Sequence, residues 1–445
     1  MLRRSSALQG GTPALLSNGM GTITITPPEE RASVSYVVRK EVAGPRLKMV
    51  IYSHYFAPSI GGVETSVEAL AIGLAKYERV RGSVEFDTVV ITNTPLGEFE
   101  DFSLPFPVVR NPGLLELLRL IWKAQVIHLA GPALLPLLLA RIFRKPIVVE
   151  HHGYQAICPN GSLLHEPDRT VCPGHFQGGR LDRCFRCERS KLSSGLRSLR
   201  SLVLTIIRNT LCRGVENIAI SAHLEKRQAL PNSRVIYYGV SDTLSDKNTP
   251  SPVSRLGAKL CFAYVGRFIS EKGILILLKA AARLQEEGRE FEVLLIGDGP
   301  ERTKLEGEIQ RQGLGSHIHI TGFLRGPELV SILAKVDVVV MPSVWEETAG
   351  LSAIEQMMRG RLVIASDIGG LGEVVGSAGM VCPPGDAEAL AACMTYVIVH
   401  PECLATLGNK AREHALTTFR YTRMLEDHAE VYRRVFSGRR ALHLP

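Results

Sequence analysis

Two glutamates, Glu347 and Glu355, are separated by seven residues in the run MPSVWEETAGLSAIEQMMRG. The pattern there gives a strand ending near Pro342, a loop, and a helix opening around Leu351. A helix start leaves backbone N–H groups unpaired and carries partial positive charge, so Ala349, Gly350 and Leu351 suit a diphosphate. Carboxylates beside a diphosphate would repel it. The two glutamates are therefore expected on hydroxyls, of a ribose or of a sugar. The plain alternative makes Glu355 a first-turn helix-dipole residue and Glu347 a solvated loop residue. A second constellation supports the first: Gly266-Arg267 follows the apolar run LCFAYV, and Glu271-Lys272-Gly273 opens the next helix. A guanidinium fork at Arg267 and a compact charge at Lys272 form an anion clamp. Such cations meet the charge that builds on a departing nucleoside diphosphate, so no metal cofactor is required for catalysis. There is no paired-aspartate motif for Mg²⁺.

These residues need a scaffold, and the chain alternates strand and helix patterns to supply one. In the first half LKMVIYS, FDTVVIT, VIHLAG and KPIVVEHHG read as strands, with IGGVETSVEALAIGLAKY and PALLPLLLARIFRK as helices between them. The alternation restarts at LCFAYVGRF and continues to MVCPP. The expected fold class is α/β, with two Rossmann-like, doubly wound domains facing each other across a cleft. The expected boundaries are a loose tail, or sequence upstream of the true start, over residues 1–45, and an N-terminal domain over 46–240. That domain carries a cysteine-bearing insertion at about 155–190. A Ser/Thr/Pro-rich linker over 241–259 leads to a C-terminal domain over 260–420, and residues 421–445 form a helix packing back on the N-terminal domain.

Length and composition narrow the class further. At 445 residues the chain exceeds one ordinary core, and its net charge is +8. Twelve Lys or Arg against four Asp or Glu between Arg180 and Arg234 account for that whole excess. Within the stretch, LRSLRSLVLTIIRNTLCR combines basic residues with apolar ones at helical spacing. It suits an anionic membrane surface, or a surface helix whose apolar side faces the core. Basic residues without interleaved aromatics or a recognised motif argue against nucleic acid. No run of eighteen apolar residues offers a membrane span, and no secretory signal core is visible. The nine cysteines are expected as free thiols in a reducing cytoplasm. The exception is Cys158, Cys172, Cys184 and Cys187, in which the last two have metal-ligand spacing. A structural zinc or iron–sulfur cluster, free thiols and a disulfide all remain open there.

Taken together, IGGVE, GRFISEKG, GDGPE, MPSVWEETAGLSAIEQM and SDIGGLGE resemble family 4 of the retaining glycosyltransferases, of the GT-B fold, from about Leu47 to Phe436. The resemblance implies that Glu347 contacts the transferred sugar, Glu355 the nucleotide ribose, and Arg267 and Lys272 the diphosphate. It places Gly61 and Gly62 near the donor phosphate and the acceptor, and Gly266 beside the clamp. Backbone contacts around Phe323 and Leu324 would select the base. In Glu150-His151-His152-Gly153-Tyr154 it implies that His152 faces the sugar or phosphate; the alternative is a histidine satisfying loop backbone. A subset of the family carries a similar cysteine insertion. The usual Pro-Phe-Gly after the first glutamate is here Thr348-Ala349-Gly350, which leaves the choice of donor sugar open. The implied activity is transfer of a hexose from a UDP- or GDP-sugar to a glycan, lipid-linked or small-molecule acceptor in cell-envelope or glycoconjugate synthesis. The implied place is the cytoplasm, at the inner membrane face; oligomeric state is not implied. The rival readings are a glycosidase, a nucleotide-sugar epimerase and a non-catalytic scaffold.

Overall fold

The computed structural model describes residues 20–23, 36–39, 46–79, 83–97, 99–166, 168–192, 194–242 and 259–441. The N-terminal sheet joins β1 (Leu47–Ser53), β2 (Phe86–Thr92), β3 (Val108–Arg110), β4 (Val126–Ala130), β5 (Ile147–His151), β6 (Glu216–Ala219) and β7 (Ser233–Val235). Its spatial order is β7-β6-β5-β4-β1-β2-β3. The C-terminal sheet joins β8 (Leu260–Val265), β9 (Phe291–Ile296), β10 (Ile318–Gly322), β11 (Val338–Met341), β12 (Leu362–Ser366) and β13 (Met380–Cys382), in the order β10-β9-β8-β11-β12-β13. All pairings within both sheets are parallel. Parallel strands are covered on both faces, which is why IVVEH and LCFAYV are almost wholly buried.

The covering helices are α1 (Gly62–Ala75), α2 (Leu114–Lys123), α3 (Leu134–Ile142), α4 (Leu181–Leu192), α5 (Gly195–Cys212) and α6 (Ala222–Gln228) in the first half. In the second they are α7 (Ile274–Glu286), α8 (Arg302–Arg311), α9 (Gly326–Leu333), α10 (Leu351–Met358), α11 (Gly369–Val375), α12 (Ala387–Val399) and α13 (Cys403–Thr418). Each sheet reverses its winding once, between β1 and β4 and between β8 and β11. Crevices open at the carboxyl ends of strands at such points, and ligands bind there.

The chain crosses between the halves twice, side by side. Val240 N–H donates to Phe419 O at 2.8 Å, and Tyr421 N–H donates back to Val240 O at 3.1 Å. Helix α14 (Tyr421–Ala441) then lies on the N-terminal domain: Tyr421 Oη donates to Ala69 O at 2.7 Å, and Arg433 forks onto Glu85 at 2.8 and 2.7 Å. Within the stretch expected as a loose tail, Met20–Ile23 and Tyr36–Arg39 pair antiparallel. The rest of 1–45, and 243–258 of the expected linker, lie outside the described residues.

Candidate active site

The carboxyl end of β11 leads straight into the loop that holds Glu347. That side chain is buried, and Lys272 Nζ donates to both of its oxygens at 2.8 Å. Ser343 Oγ donates to it as well. Lys272 sits in a 3₁₀ turn, Ser270–Lys272, rather than in the first turn of α7. Gly273 follows at φ 66°, and a Cβ there would overlap the Pro342 carbonyl oxygen. Only glycine both takes that conformation and allows that approach, so it is Gly273 that brings Lys272 against the Glu347 loop. Gly369, at φ 61°, does the same from the other side, because a Cβ on it would overlap Glu347 O. Gly370 N–H then donates to that oxygen at 2.6 Å.

The other expected residues fall around this pair. Arg267, next to Gly266, is exposed and makes no side-chain ion pair or hydrogen bond among the described residues. Gly350 caps α10, with buried Ala349 before it and Leu351 as its first residue. Gly61 and Gly62 open α1 at the carboxyl end of β1, and a Cβ on Gly62 would stand 3.8 Å from Leu351. The helix starts of the two domains thus face each other. Glu64 folds over Gly61, so the α1 start carries a carboxylate of its own. Glu355 lies half-buried on α10; burial pushes its pKa up, and Arg359 one turn on offsets this in part. Phe323 is exposed after β10, with Leu324 packed on the core.

His152 is where expectation and structure part. Its ring stacks on Tyr238, with Nδ1 2.9 Å from the phenol oxygen, and its Nε2 is 3.5 Å from Glu150 Oε2. Both ring nitrogens therefore face a buried network instead of the cleft. The cause is Glu150, a buried carboxylate that also has His128 Nε2 at 3.2 Å and His428 Nε2, from α14, at 3.5 Å. Burial raises the pKa of Glu150, but His152, His428 and His128 together outweigh this and hold it well below the usual range. Burial lowers the pKa of His152 despite Glu150, whereas the same carboxylate raises that of His428 against its burial. What His152 offers the catalytic loop is its carbonyl, which accepts from Thr348 Oγ1 at 3.0 Å.

A set of polar contacts across the cleft had no signature in the sequence. Glu373 accepts from Ala222 N–H at 2.9 Å, His223 N–H at 2.7 Å and Tyr237 Oη at 2.5 Å. Arg227 Nε donates to Glu346 at 2.9 Å, Ser221 Oγ to Thr348 O at 2.5 Å, and Tyr154 Oη to Glu346 O at 3.1 Å. Trp345 Nε1 donates to Ser162 O, and Arg169 pairs with Glu271 at 2.7 Å. These draw the insertion and α6 onto the loop that carries Glu347.

The insertion's four cysteines are buried and unoxidised. Cys158 donates to Asn160 Oδ1 at 2.9 Å, Asn160 Nδ2 donates to Cys187 Sγ at 3.7 Å, and Cys172 Sγ lies 3.7 Å from His175 Nδ1. Burial pushes Cys158 up to about 11. It pushes Cys184 up to about 12, with further push from Cys158, Cys172 and Cys187. Among the described residues no three His, Cys, Asp or Glu side chains are arranged to hold a metal ion. Cys187 Sγ also donates to Leu164 O at 3.7 Å, so Cys158 and Cys187 are both tied into the insertion through Asn160 and Leu164.

Residues 248–414 match the family model of glycosyl transferases group 1. The chain is similar to the 2-deoxystreptamine glucosyltransferase of Streptomyces kanamyceticus, 38% identical over 140 residues, which are 31% of this chain and 36% of that protein. It is also similar to the alpha-D-kanosaminyltransferase of the same organism, 28% identical over 222 residues, 48% of this chain and 57% of that one. The chain thus spans about a third to a little over half of these curated relatives. Among solved structures, Anabaena HepE in complex with UDP and glucose superposes with a TM-score of 0.64 at 21% identity, over 86% of this chain and 99% of that one. Sucrose-phosphate synthase of Thermosynechococcus elongatus gives 0.66 at 21% identity, over 88% and 100%. The segment bearing Arg267, Lys272, Glu347 and Glu355 is thus a glycosyl transferases group 1 domain, set in a chain with the GT-B fold.

Proposed function

We propose that this protein is a retaining hexosyltransferase that uses a nucleotide-sugar donor. The observation that carries the reading is the Lys272–Glu347 pair, 2.8 Å apart at the C-terminal switch point, with exposed Arg267 and the start of α10 around it. The donor diphosphate would take Lys272 as counter-charge, freeing Glu347 to accept from a sugar hydroxyl. The acceptor oxygen bonds to the anomeric carbon on the face that the nucleotide leaves, as the bond to the β-phosphate oxygen breaks. The electron pair goes to the phosphate, which also takes the acceptor proton. Arg267, Lys272 and the α10 N–H groups meet the charge that develops there. Charge is supplied by side chains, so this scheme assigns no step to a metal. The HepE structure contains UDP, which makes UDP the first nucleotide to try.

We also propose contact with an anionic membrane surface through the N-terminal domain. Helix α5 turns Leu196, Leu199, Val203, Ile206 and Ile207 outward, while its buried residues are Ser198, Leu202, Thr205 and Cys212. A core-facing helix usually buries its large apolar residues, and Leu114, Leu115 and Trp122 of α2 and Ile142 of α3 are exposed too. The donor reading is tested by calorimetric titration of UDP and GDP in EDTA, with Lys272→Ala and Glu355→Ala alongside. Micromolar binding of one nucleotide, weakened in both variants, is the expected result. Equal affinity in all three proteins would end the assignment of the site.

A further inference from the structure

A cavity of about 620 Å³ opens beside the catalytic loop, between α5 and the insertion. One wall is Arg197, Arg200 and Arg208 of α5; the other includes His152, Ser162 and Trp345. Trp345 is two residues before Glu347 and is tied to Ser162 by its indole N–H, so the cavity meets the donor site at that loop. It lies on the N-terminal side of the cleft, away from Arg267, Lys272 and α10.

The three arginines fall on one stripe of α5, at i, i+3 and i+11, with Leu204 between them. None of the three makes an ion pair or side-chain hydrogen bond among the described residues, and no carboxylate lines the cavity. Burial lowers the pKa of Arg208, and a thiol, Cys212, is the neighbour that offsets it. Like charges at this spacing weaken a helix. An unpaired cationic wall of which one member, Arg208, is partly buried is stabilised by an anion, and the guanidinium fork fits the oxygens of phosphate.

We propose that this cavity is the acceptor subsite and that it takes a phosphate or diphosphate group on the acceptor. The inference rests on the transferase reading given above and adds the substrate class on the acceptor side. The transfer step itself is unchanged: the phosphate is held by Arg197, Arg200 and Arg208 while a hydroxyl of the same molecule reaches the anomeric carbon past Trp345. The phosphate comes either from a soluble sugar phosphate or from a lipid-linked sugar whose chain follows the exposed apolar stripe of α5, one step around the helix.

The test is a binding titration on full-length protein saturated with UDP. In the soluble arm glucose 6-phosphate is titrated, with glucose as the uncharged control. In the lipid arm polyprenyl-diphosphate-linked N-acetylglucosamine is presented in detergent micelles, with empty micelles as the control. Both arms are run on wild type, on Arg197→Ala/Arg200→Ala, whose side chains are exposed, and on Arg213→Ala, at the C-cap of the same helix outside the cavity. Loss of two charge-assisted contacts should weaken phosphate binding about a hundredfold, while Arg213→Ala binds like wild type. Binding in the soluble arm alone identifies a free sugar phosphate, and in the lipid arm alone a lipid-linked acceptor. Equal binding of glucose or of 2-deoxystreptamine, a diamine, would overturn the proposal, as would binding indifferent to the double substitution or absent from both arms. Failure of UDP itself to bind wild type in the preceding titration would instead sink the transferase reading.

Discussion

At the scale of single residues, Lys272 and Glu347 hold their charges against each other. Lys272 neutralises Glu347, so removing the lysine strips the clamp and also leaves a buried carboxylate without its partner. Lys272→Ala and Arg267→Ala are each expected to lower kcat/KM by about 10²–10³-fold, read as nucleotide release from the UDP-sugar. An unaffected rate in either would remove it from the leaving-group clamp. Glu355 carries a different signature. Its pKa is raised from 4.5 by burial, so the folded protein binds its proton more tightly than the unfolded chain does. Ionisation therefore costs stability once pH exceeds the raised value, and that cost is absent below 4.5. Glu355→Gln should raise Tm at pH 7 while weakening nucleotide binding. It should also flatten the decline in nucleotide affinity that wild type shows as the pH falls and the carboxylate takes up its proton. A Tm lowered by the substitution would mean that the carboxylate has a structural partner.

At the scale of elements, close backbone approach does what side-chain chemistry alone does not. The 3₁₀ turn Ser270–Lys272 reaches the loop after β11 because Gly273 lacks a Cβ. Gly273→Ala combines a left-handed φ with overlap on a carbonyl, a strain on the order of 1–3 kcal/mol. It should lower the denaturant midpoint and weaken UDP binding together. Wild-type values for both would show that the turn tolerates displacement. Helix α5 is the other element whose faces matter, since its buried stripe is partly polar and its exposed side carries five large apolar residues beside Arg197 and Arg200. Leu199→Ser/Ile206→Ser should sediment several-fold less with vesicles of anionic lipid and leave UDP affinity unchanged. Equal sedimentation would reject the membrane contact.

For the whole molecule, two devices hold the halves in place. One is the Glu150 network, through which α14 is fixed to the N-terminal domain by His428, with Tyr432 3.0 Å from His128. The lowered pKa of Glu150 contributes stability above 4.5 that is lost as pH falls through its folded value. The raised pKa of His428 contributes stability below 6.5 that is lost as pH rises through its folded value. The pair is therefore strongest between those limits. Glu150→Gln should cost about 3–5 kcal/mol there, seen in urea unfolding and in faster amide exchange of α14. The second device is the latch from Glu373 to α6. Glu373→Ala should enlarge the radius of gyration in X-ray scattering without nucleotide, and an unchanged value would place the closure elsewhere.

The alternation of buried strands and helices and both Gly-rich turns follow from local pattern, and the sequence by itself determined them. Period, capping and turn chemistry act within a few residues, so they are legible one segment at a time. That is why the GRF turn and the start of α10 stand where their spacing puts them, while Lys272 falls in a 3₁₀ turn ahead of α7. Tertiary structure decided what depends on distant partners. It turned His152 inward, because Glu150 is buried with three histidines of which one comes from the last helix. It gathered the four thiols of the insertion beside one another, and it matched Glu373 to N–H groups of α6. The same folding left three arginines of α5 around one cavity with no counter-charge among the described residues. A buried charge chooses its neighbours through desolvation and three-dimensional proximity, and neither is written in the spacing of residues along the chain.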